Sequence, residues 1–172
     1  EDCRVLAETL GQNLLRLPVN WSGMEPKQGE FNQAYFDRML EVIRGCWEHG
    51  VYTLVDIHQD AYSKEIGEDG APLWAIVPEP TELLEGPLTE EELAERRLSP
   101  QVLAAFESLY ENKEGVQDAY ATMAAKLAEV IRDEPGVMGI DLMNEPVVLK
   151  DLDPTKSGLL DAFHARVSEA IR

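Results

Sequence analysis

Polar side chains occur at the ends of three apolar runs, in places where a buried strand would not otherwise carry them. They are Arg16 in the first run, Asp56, His58 and Asp60 around the end of the second, and Asn144 with Glu145 at the end of the third. Residues two apart on a strand point to the same face, so the three polar residues of the second run can converge on one site. Together these groups can bind a polar substrate and transfer protons.

Glu145 is the strongest candidate for proton transfer. Because Pro146 follows it, the chain must leave the strand at once, which holds the carboxylate at the rim of the sheet. The adjacent Asn144 amide can hydrogen-bond a substrate hydroxyl, and Arg16 and His58 can orient the acid. The pattern equally fits a strand-terminal glutamate that caps the next helix or pairs with Arg16, so both interpretations stay open.

A divalent metal site in a hydrolase of the barrel type is an alternative for the same residues. Its donors are Asp56, His58, Asp60 and Glu145. Nitrogen and oxygen ligands of this kind hold catalytic cations, but catalytic zinc commonly takes two or three histidines. The rim has one obvious histidine, since His49 and His164 lie in or beside predicted helices, where surface residues are typical.

The elements that must position these residues alternate between strand and helix. The apolar runs predict strands over residues 13–19, 51–58 and 137–143, and helical spacing predicts helices over 35–47, 117–132 and from about 157 to 172. The inward positions expected on the last helix are Leu160, Phe163, Val167 and Ile171. This order is typical of a parallel α/β fold with right-handed crossovers. A full (β/α)8 barrel needs about 250 residues, so we expect a partial (β/α)8 barrel.

A Glu-rich stretch over about residues 79–115 interrupts the alternation. Ser99 followed by Pro100 is typical of an N-cap and the first position of a helix. We therefore expect a solvated helical insertion whose charge run is a wet surface and not a binding site.

Composition limits the partners. The chain has 172 residues, the size of one domain, and its 15 Lys plus Arg against 33 Asp plus Glu give a formal charge of −18. That charge repels nucleic acid and anionic membrane surfaces. No apolar run reaches the roughly 18 to 20 residues of a membrane helix, so we expect no stable membrane insertion. The two cysteines, Cys3 and Cys46, are too few for a disulfide framework and lack the close spacing of a zinc site.

Several motifs together resemble glycoside hydrolase family 5. They are residues 13–26 (NLLRLPVNWSGMEP), 56–60 (DIHQD) and 141–146 (DLMNEP), and residues 69–75 (DGAPLWA) narrow the resemblance to the endoglycoceramidase-like branch. The resemblance implies a retaining β-glycosidase on a (β/α)8 barrel, with Glu145 as general acid/base and a second glutamate near the end of the seventh strand as nucleophile. It also implies that Arg16, His58 and Asn144 surround the catalytic carboxylates. Asp56 and Asp60 would support or contact the sugar, and Trp74 would stack on glycan unless it is buried packing.

The same resemblance implies a glycan or glycolipid substrate, no cofactor, no metal, and a secreted or otherwise extracytoplasmic location. Residues 1–172 would form the N-terminal to central part of one catalytic domain, with the nucleophile beyond Arg172. We therefore expect the isolated chain to be inactive. A non-catalytic glycan-binding fragment remains the other interpretation of a chain that carries one convincing carboxylate.

Overall fold

The computed structural model describes residues 1–84 and 89–172. Within them, three strands form one parallel sheet in the order β1-β2-β3, with β1 at Leu14–Val19, β2 at Tyr52–Ile57 and β3 at Val137–Asp141. Neighbours in the sequence are therefore neighbours in the sheet, as they are in a (β/α)8 barrel. The predicted parallel α/β arrangement is confirmed, and it is part of a barrel.

Seven α-helices accompany these strands in the described residues: α1 at Asp2–Arg4, α2 at Trp21–Met24, α3 at Gln33–Trp47, α4 at Glu90–Arg96, α5 at Pro100–Tyr110, α6 at Val116–Ile131 and α7 at Leu159–Ala170. A π-helical turn at Val5–Thr9 continues α1, and short 3-10 turns lie at Leu73–Ala75, Lys113–Gly115, Leu149–Asp151 and Pro154–Lys156. The three helices predicted from periodicity correspond to α3, α6 and α7. On α7, Phe163 and Val167 are fully buried and Leu160 and Ile171 partly so, as expected.

The helices pack against one face of the sheet and leave the other open. Val19, Val55 and Ile57 are buried on the covered face. Leu14 and Tyr52, which are register partners, each remain 43% exposed on the other face. By strand alternation, that open face also carries the row of Arg16 and Asp56, and it lines the interior of a closed barrel.

The Glu-rich stretch is only partly the solvated segment that was predicted. Helix α4 has no buried residue, and it begins with a capping box formed by Thr89 and Glu92. Helix α5 begins at the predicted Ser99 cap, but it lies in the core, with Phe106 and Leu109 fully buried. The prediction was wrong there because the acidic composition of residues 79–98 hid an apolar stripe at helical spacing. Residues 85–88 of this stretch lie outside the described residues.

Cys3 and Cys46 form a disulfide that joins α1 to α3. This pairing was not predicted, because two cysteines separated by 43 residues form no recognisable motif. A loop of that length removes enough unfolded-chain entropy to stabilise a protein by about 4 kcal/mol. Across residues 1–84 and 89–172, no helix is long and apolar enough to span a membrane.

Candidate active site

Arg16, in the middle of β1, connects all three strands through its side chain. From β1, its Nη2 atom lies 3.2 Å from Asp56 Oδ2 at the end of β2 and 3.0 Å from Asp141 Oδ2 at the end of β3. The same atom donates a 2.8 Å hydrogen bond to Asn144 Oδ1. Because the strands are parallel, Arg16, Asp56 and Asn144 meet at one edge of the sheet, as the sequence predicts. The hydrogen bond to Asp141 is the main cause that raises the pKa of the Arg16 guanidinium.

Asp56 orients His58. The Asp56 side chain is fully buried, and its Oδ2 atom lies 2.6 Å from His58 Nδ1. Burial raises the pKa of Asp56, while the hydrogen bond and charge of His58 and the charge of Arg16 oppose that rise. An ionised carboxylate accepts a hydrogen bond from Nδ1–H, which leaves the Nε2 lone pair free to accept. His58 Nε2 lies 3.4 Å from the Asn144 side-chain nitrogen, which can donate a hydrogen bond to it.

Asn144 is buried and fully bonded within the protein. Its Oδ1 atom accepts from Arg16, and its Nδ2 atom donates to the Gln59 carbonyl at 3.1 Å and faces His58. Its backbone N–H donates to the Ile57 carbonyl at 3.1 Å, which extends the contact between the second and third strands. The side chain therefore holds the two strand ends together.

Glu145 is exposed at the rim beside this network. Its backbone has φ of 39°, in the left-handed region that residues other than glycine rarely occupy. Among the described residues it forms no salt bridge, since the carboxylate partners of Arg16 are Asp56 and Asp141. The ion-pair alternative for Glu145 is therefore wrong, and its carboxyl group is available to a ligand.

Asp60 lies at the other end of the polar row. Its Oδ2 atom is 3.8 Å from His58 Nε2, and its Oδ1 atom is 3.1 Å from Arg97 Nη2. Arg97, which caps the C-terminus of α4, also reaches Glu68 at 3.2 Å. The Glu-rich stretch thus contributes a cation beside the site, a contact that the sequence analysis did not identify.

Trp74 contacts an aromatic cluster. Its ring meets Trp21 edge to face at 5.2 Å, and its Nε1–H donates to the Glu25 carbonyl at 3.2 Å. Trp21 is itself buried and donates to the Glu25 carboxylate at 2.8 Å. These contacts support the packing interpretation of Trp74, and stacking on a sugar stays a prediction.

The metal alternative does not fit the donor set. No group of three or more histidine, cysteine or acidic side chains in the described part of the chain is arranged to hold a metal ion. The Oδ2 atom of Asp56, which would be a ligand, already faces Arg16 and His58. His49 lies just after α3 near Glu8, and His164 lies in α7. The Arg16 guanidinium already balances the charge of the Asp56 oxygen that a metal ion would need.

Sequence reasoning missed three further residues near the site, which are Gln59, Arg97 and Asp141. Asp141 had a detectable signal, because it ends β3 and is the register partner of Asp56. Gln59 stands between two predicted site residues but has an unremarkable side chain. Arg97 belongs to the charge run, where composition gives no reason to single it out.

Comparison with known proteins assigns the family. The model of cellulase (glycosyl hydrolase family 5) matches residues 2–172. Endoglycoceramidase I of Rhodococcus hoagii is 35% identical over 79% of this chain and 27% of its own length. Endoglycoceramidase of Hydra vulgaris is 28% identical over 85% of this chain and 32% of its length.

A solved structure of endo-glycoceramidase II from Rhodococcus sp., in complex with ganglioside GM3, has a similar fold. It superposes with a TM-score of 0.81 at 28% identity and covers 97% of this chain and 40% of that one. The chain thus spans about a third of the length of the curated relatives it matches. Since the family model covers nearly every residue, from 2 to 172, the chain belongs to glycosyl hydrolase family 5.

Proposed function

We propose that this chain carries the acid/base half of a retaining β-glycosidase site. The observation that supports it is the network of Arg16, Asp56, His58 and Asn144, which fixes the strand ends and leaves the Glu145 carboxyl group exposed beside them. A network this well bonded makes a rigid site, and an unpaired carboxyl group at its edge can exchange a proton with a ligand.

Glu145 acts as the general acid in the first step. Its proton passes to the glycosidic oxygen while the bond from that oxygen to the anomeric carbon breaks, and a second carboxylate bonds to the anomeric carbon. Glu145, now ionised, then takes a proton from water as the water displaces that carboxylate, which restores both groups. The second carboxyl group would lie about 5 to 5.5 Å from Glu145, on a strand later than β3.

The surrounding residues bind and orient. His58 and Asp60 face the sugar in the subsite before the scissile bond, where imidazole and carboxylate groups can hydrogen-bond sugar hydroxyls. Asp56 aligns His58, and Arg97 holds Asp60. Arg16 and Asn144 hold the strand ends at a fixed separation. The mechanism uses only acid–base and nucleophilic chemistry of side chains, so it requires no cofactor.

A glycolipid or a simpler β-glucoside is the proposed substrate. The relatives from Rhodococcus hoagii and Hydra vulgaris are endoglycoceramidases, and the solved relative binds ganglioside GM3. The negative charge of the chain disfavours substrates presented on strongly anionic surfaces. The relatives support a class of substrate for this chain, and we propose no particular headgroup.

The test is Glu145→Gln in the full-length polypeptide that carries this chain. The amide keeps the shape of the side chain but has no proton to deliver, so turnover of a glycoside with a poor leaving group should fall by about 10²- to 10⁴-fold. An activated aryl glycoside should lose much less in the first step, because its departure needs little protonation. The ratio of kcat/KM values for the two substrates is the measurement.

Glu114→Gln is the matched control, because Glu114 is also exposed and also has a left-handed backbone, with φ of 52°. It should leave both activities unchanged. Equal losses on both substrates for Glu145→Gln would contradict the assignment of the acid. Binding without any turnover in the unaltered protein would favour a glycan-binding role instead.

A further inference from the structure

Gln59 connects the segments that follow the second and third strands. It is only 7% exposed, and its Nε2 atom donates to the Asn144 carbonyl at 2.6 Å and to the Glu145 carbonyl at 3.2 Å. Its Oε1 atom accepts from the Tyr62 backbone N–H at 2.8 Å. In return, the Gln59 carbonyl accepts from the Asn144 side chain. The side chain and the backbone carbonyl of Gln59 thus both bond to the segment at Asn144.

The two carbonyls that Gln59 binds flank the Glu145 Cα atom. The Asn144 carbonyl belongs to the peptide before it and the Glu145 carbonyl to the peptide after it, so a single amide restrains both backbone torsions of Glu145. Of the two, φ is 39°, a positive value that residues other than glycine rarely adopt. Such a conformation persists in a non-glycine residue only when its surroundings hold it there.

We infer that Gln59 is a positioning residue that holds the Glu145 backbone in this conformation and thereby aims its carboxyl group at the glycosidic oxygen. The inference rests on the proposed function of Glu145. Gln59 itself need not touch the substrate, because its amide is already satisfied by the two carbonyls and Tyr62.

A matched glutamine separates positioning from simple core stability. Gln117 is 6% exposed, and its Nε2 atom also donates to two backbone carbonyls, those of Leu109 at 3.0 Å and Tyr110 at 2.9 Å. Those carbonyls end helix α5 and do not flank the proposed acid. Gln59→Met and Gln117→Met therefore each remove two hydrogen bonds from a buried side chain to backbone carbonyls, but only the first frees Glu145.

The experiment measures kcat/KM of the full-length polypeptide for a poor and an activated leaving group, together with Tm. Both methionine variants should lower Tm. Gln59→Met should also reduce kcat/KM for the glycoside with the poor leaving group by about 10- to 100-fold more than kcat/KM for the activated glycoside. That loss is smaller than the full contribution of general acid catalysis, which is about 10²- to 10⁴-fold. Gln117→Met should change the two activities equally. An equal effect of Gln59→Met on both substrates would overturn the inference.

Gln59→Glu provides a second measurement if the methionine variant does not fold. It keeps the shape and the acceptor for Tyr62, but its ionised form places an acceptor against two carbonyls, whereas its protonated form can donate to one. The ratio of kcat/KM values for the two substrates should therefore return towards that of the unaltered protein as the pH falls. A ratio independent of pH would contradict the inference. If Glu145→Gln itself shows no leaving-group dependence, the proposed function fails first and this inference with it.

Discussion

Two clusters of charged side chains each join separate elements of the chain, and they differ in burial. The strand-end cluster consists of Arg16, Asp56, His58 and Asp141 and connects the three strands. The helix cluster consists of Glu107, Glu111, Lys113 and Lys156 and connects α5 to the turns at Lys113–Gly115 and Pro154–Lys156. In the first, the Asp56 side chain is fully buried although that of Asp141 is 34% exposed, whereas in the second both carboxylate side chains are about a third exposed.

The difference reverses the sign of the pKa shifts. Burial raises the pKa of Asp56, even though His58 and Arg16 oppose it. Hydrogen bonds from Lys113 and Lys156 lower the pKa values of Glu107 and Glu111. The helix cluster therefore favours the folded state at neutral pH, whereas in the strand-end cluster folding disfavours the ionised form of Asp56. That arrangement is expected when the carboxylate serves to orient His58 and not to add stability.

The largest predicted difference between the clusters appears when one cation is removed. Arg16→Met leaves the buried Asp56 carboxyl group with His58 as its remaining hydrogen-bond partner. Losing the partner of a buried charge costs about 3 to 5 kcal/mol, and because the Arg16 side chain is 45% exposed and partly screened, we expect about 2 kcal/mol. Lys156→Met removes a surface partner, so its effect should be smaller and should decrease further as salt is added.

Urea unfolding at neutral pH, in low and high salt, measures both variants. A loss for Lys156→Met equal to that for Arg16→Met, with the same salt dependence, would contradict the distinction between a buried and a surface cluster. Arg38→Met is the control, because Arg38 pairs with Glu41 on the surface of α3.

A smaller effect should appear as opposite slopes of stability with pH. The folded-state pKa of Asp56 lies above its ordinary 3.8, so its contribution to stability is complete below that value and is lost as the pH rises. The pKa of Glu107 lies below its ordinary 4.5, so its contribution is present above that value and is lost as the pH falls.

Asp56→Asn and Glu107→Gln isolate these contributions. As the pH rises from about 3 to about 7, the wild type should lose stability relative to Asp56→Asn and gain it relative to Glu107→Gln. Free energies of unfolding across that range give both differences. Slopes of the same sign would show that burial is not the dominant cause of the pKa shift of Asp56.

Most of the sheet could be predicted because its strands are apolar runs that end in polar residues. The run over 13–19 became β1 at Leu14–Val19, and the meeting of Arg16, Asp56 and Asn144 followed from parallel strands alone. The strand prediction depends on a pattern within one element, the run of apolar residues. The meeting of the three side chains then depends only on the parallel order of the strands.

What could not be predicted depends on contacts between distant residues. The disulfide of Cys3 with Cys46 and the pairing of Asp60 with Arg97 join elements whose relative placement is set by packing. Gln59 was not singled out because a glutamine carries no charge, and its importance arises from two carbonyls 85 and 86 residues away. Such contacts follow from the fold and not from any local spacing.

The most direct test of the account is a structure of the full-length polypeptide carrying Glu145→Gln with a β-glycoside bound. We expect the sugar at the open ends of the strands, with the side-chain amide at position 145 about 2.6 to 3.2 Å from the glycosidic oxygen. We also expect His58 and Asp60 to contact hydroxyl groups of the same sugar. A glycoside bound elsewhere, with the residue at position 145 facing solvent, would contradict the assignment of Glu145 as the acid.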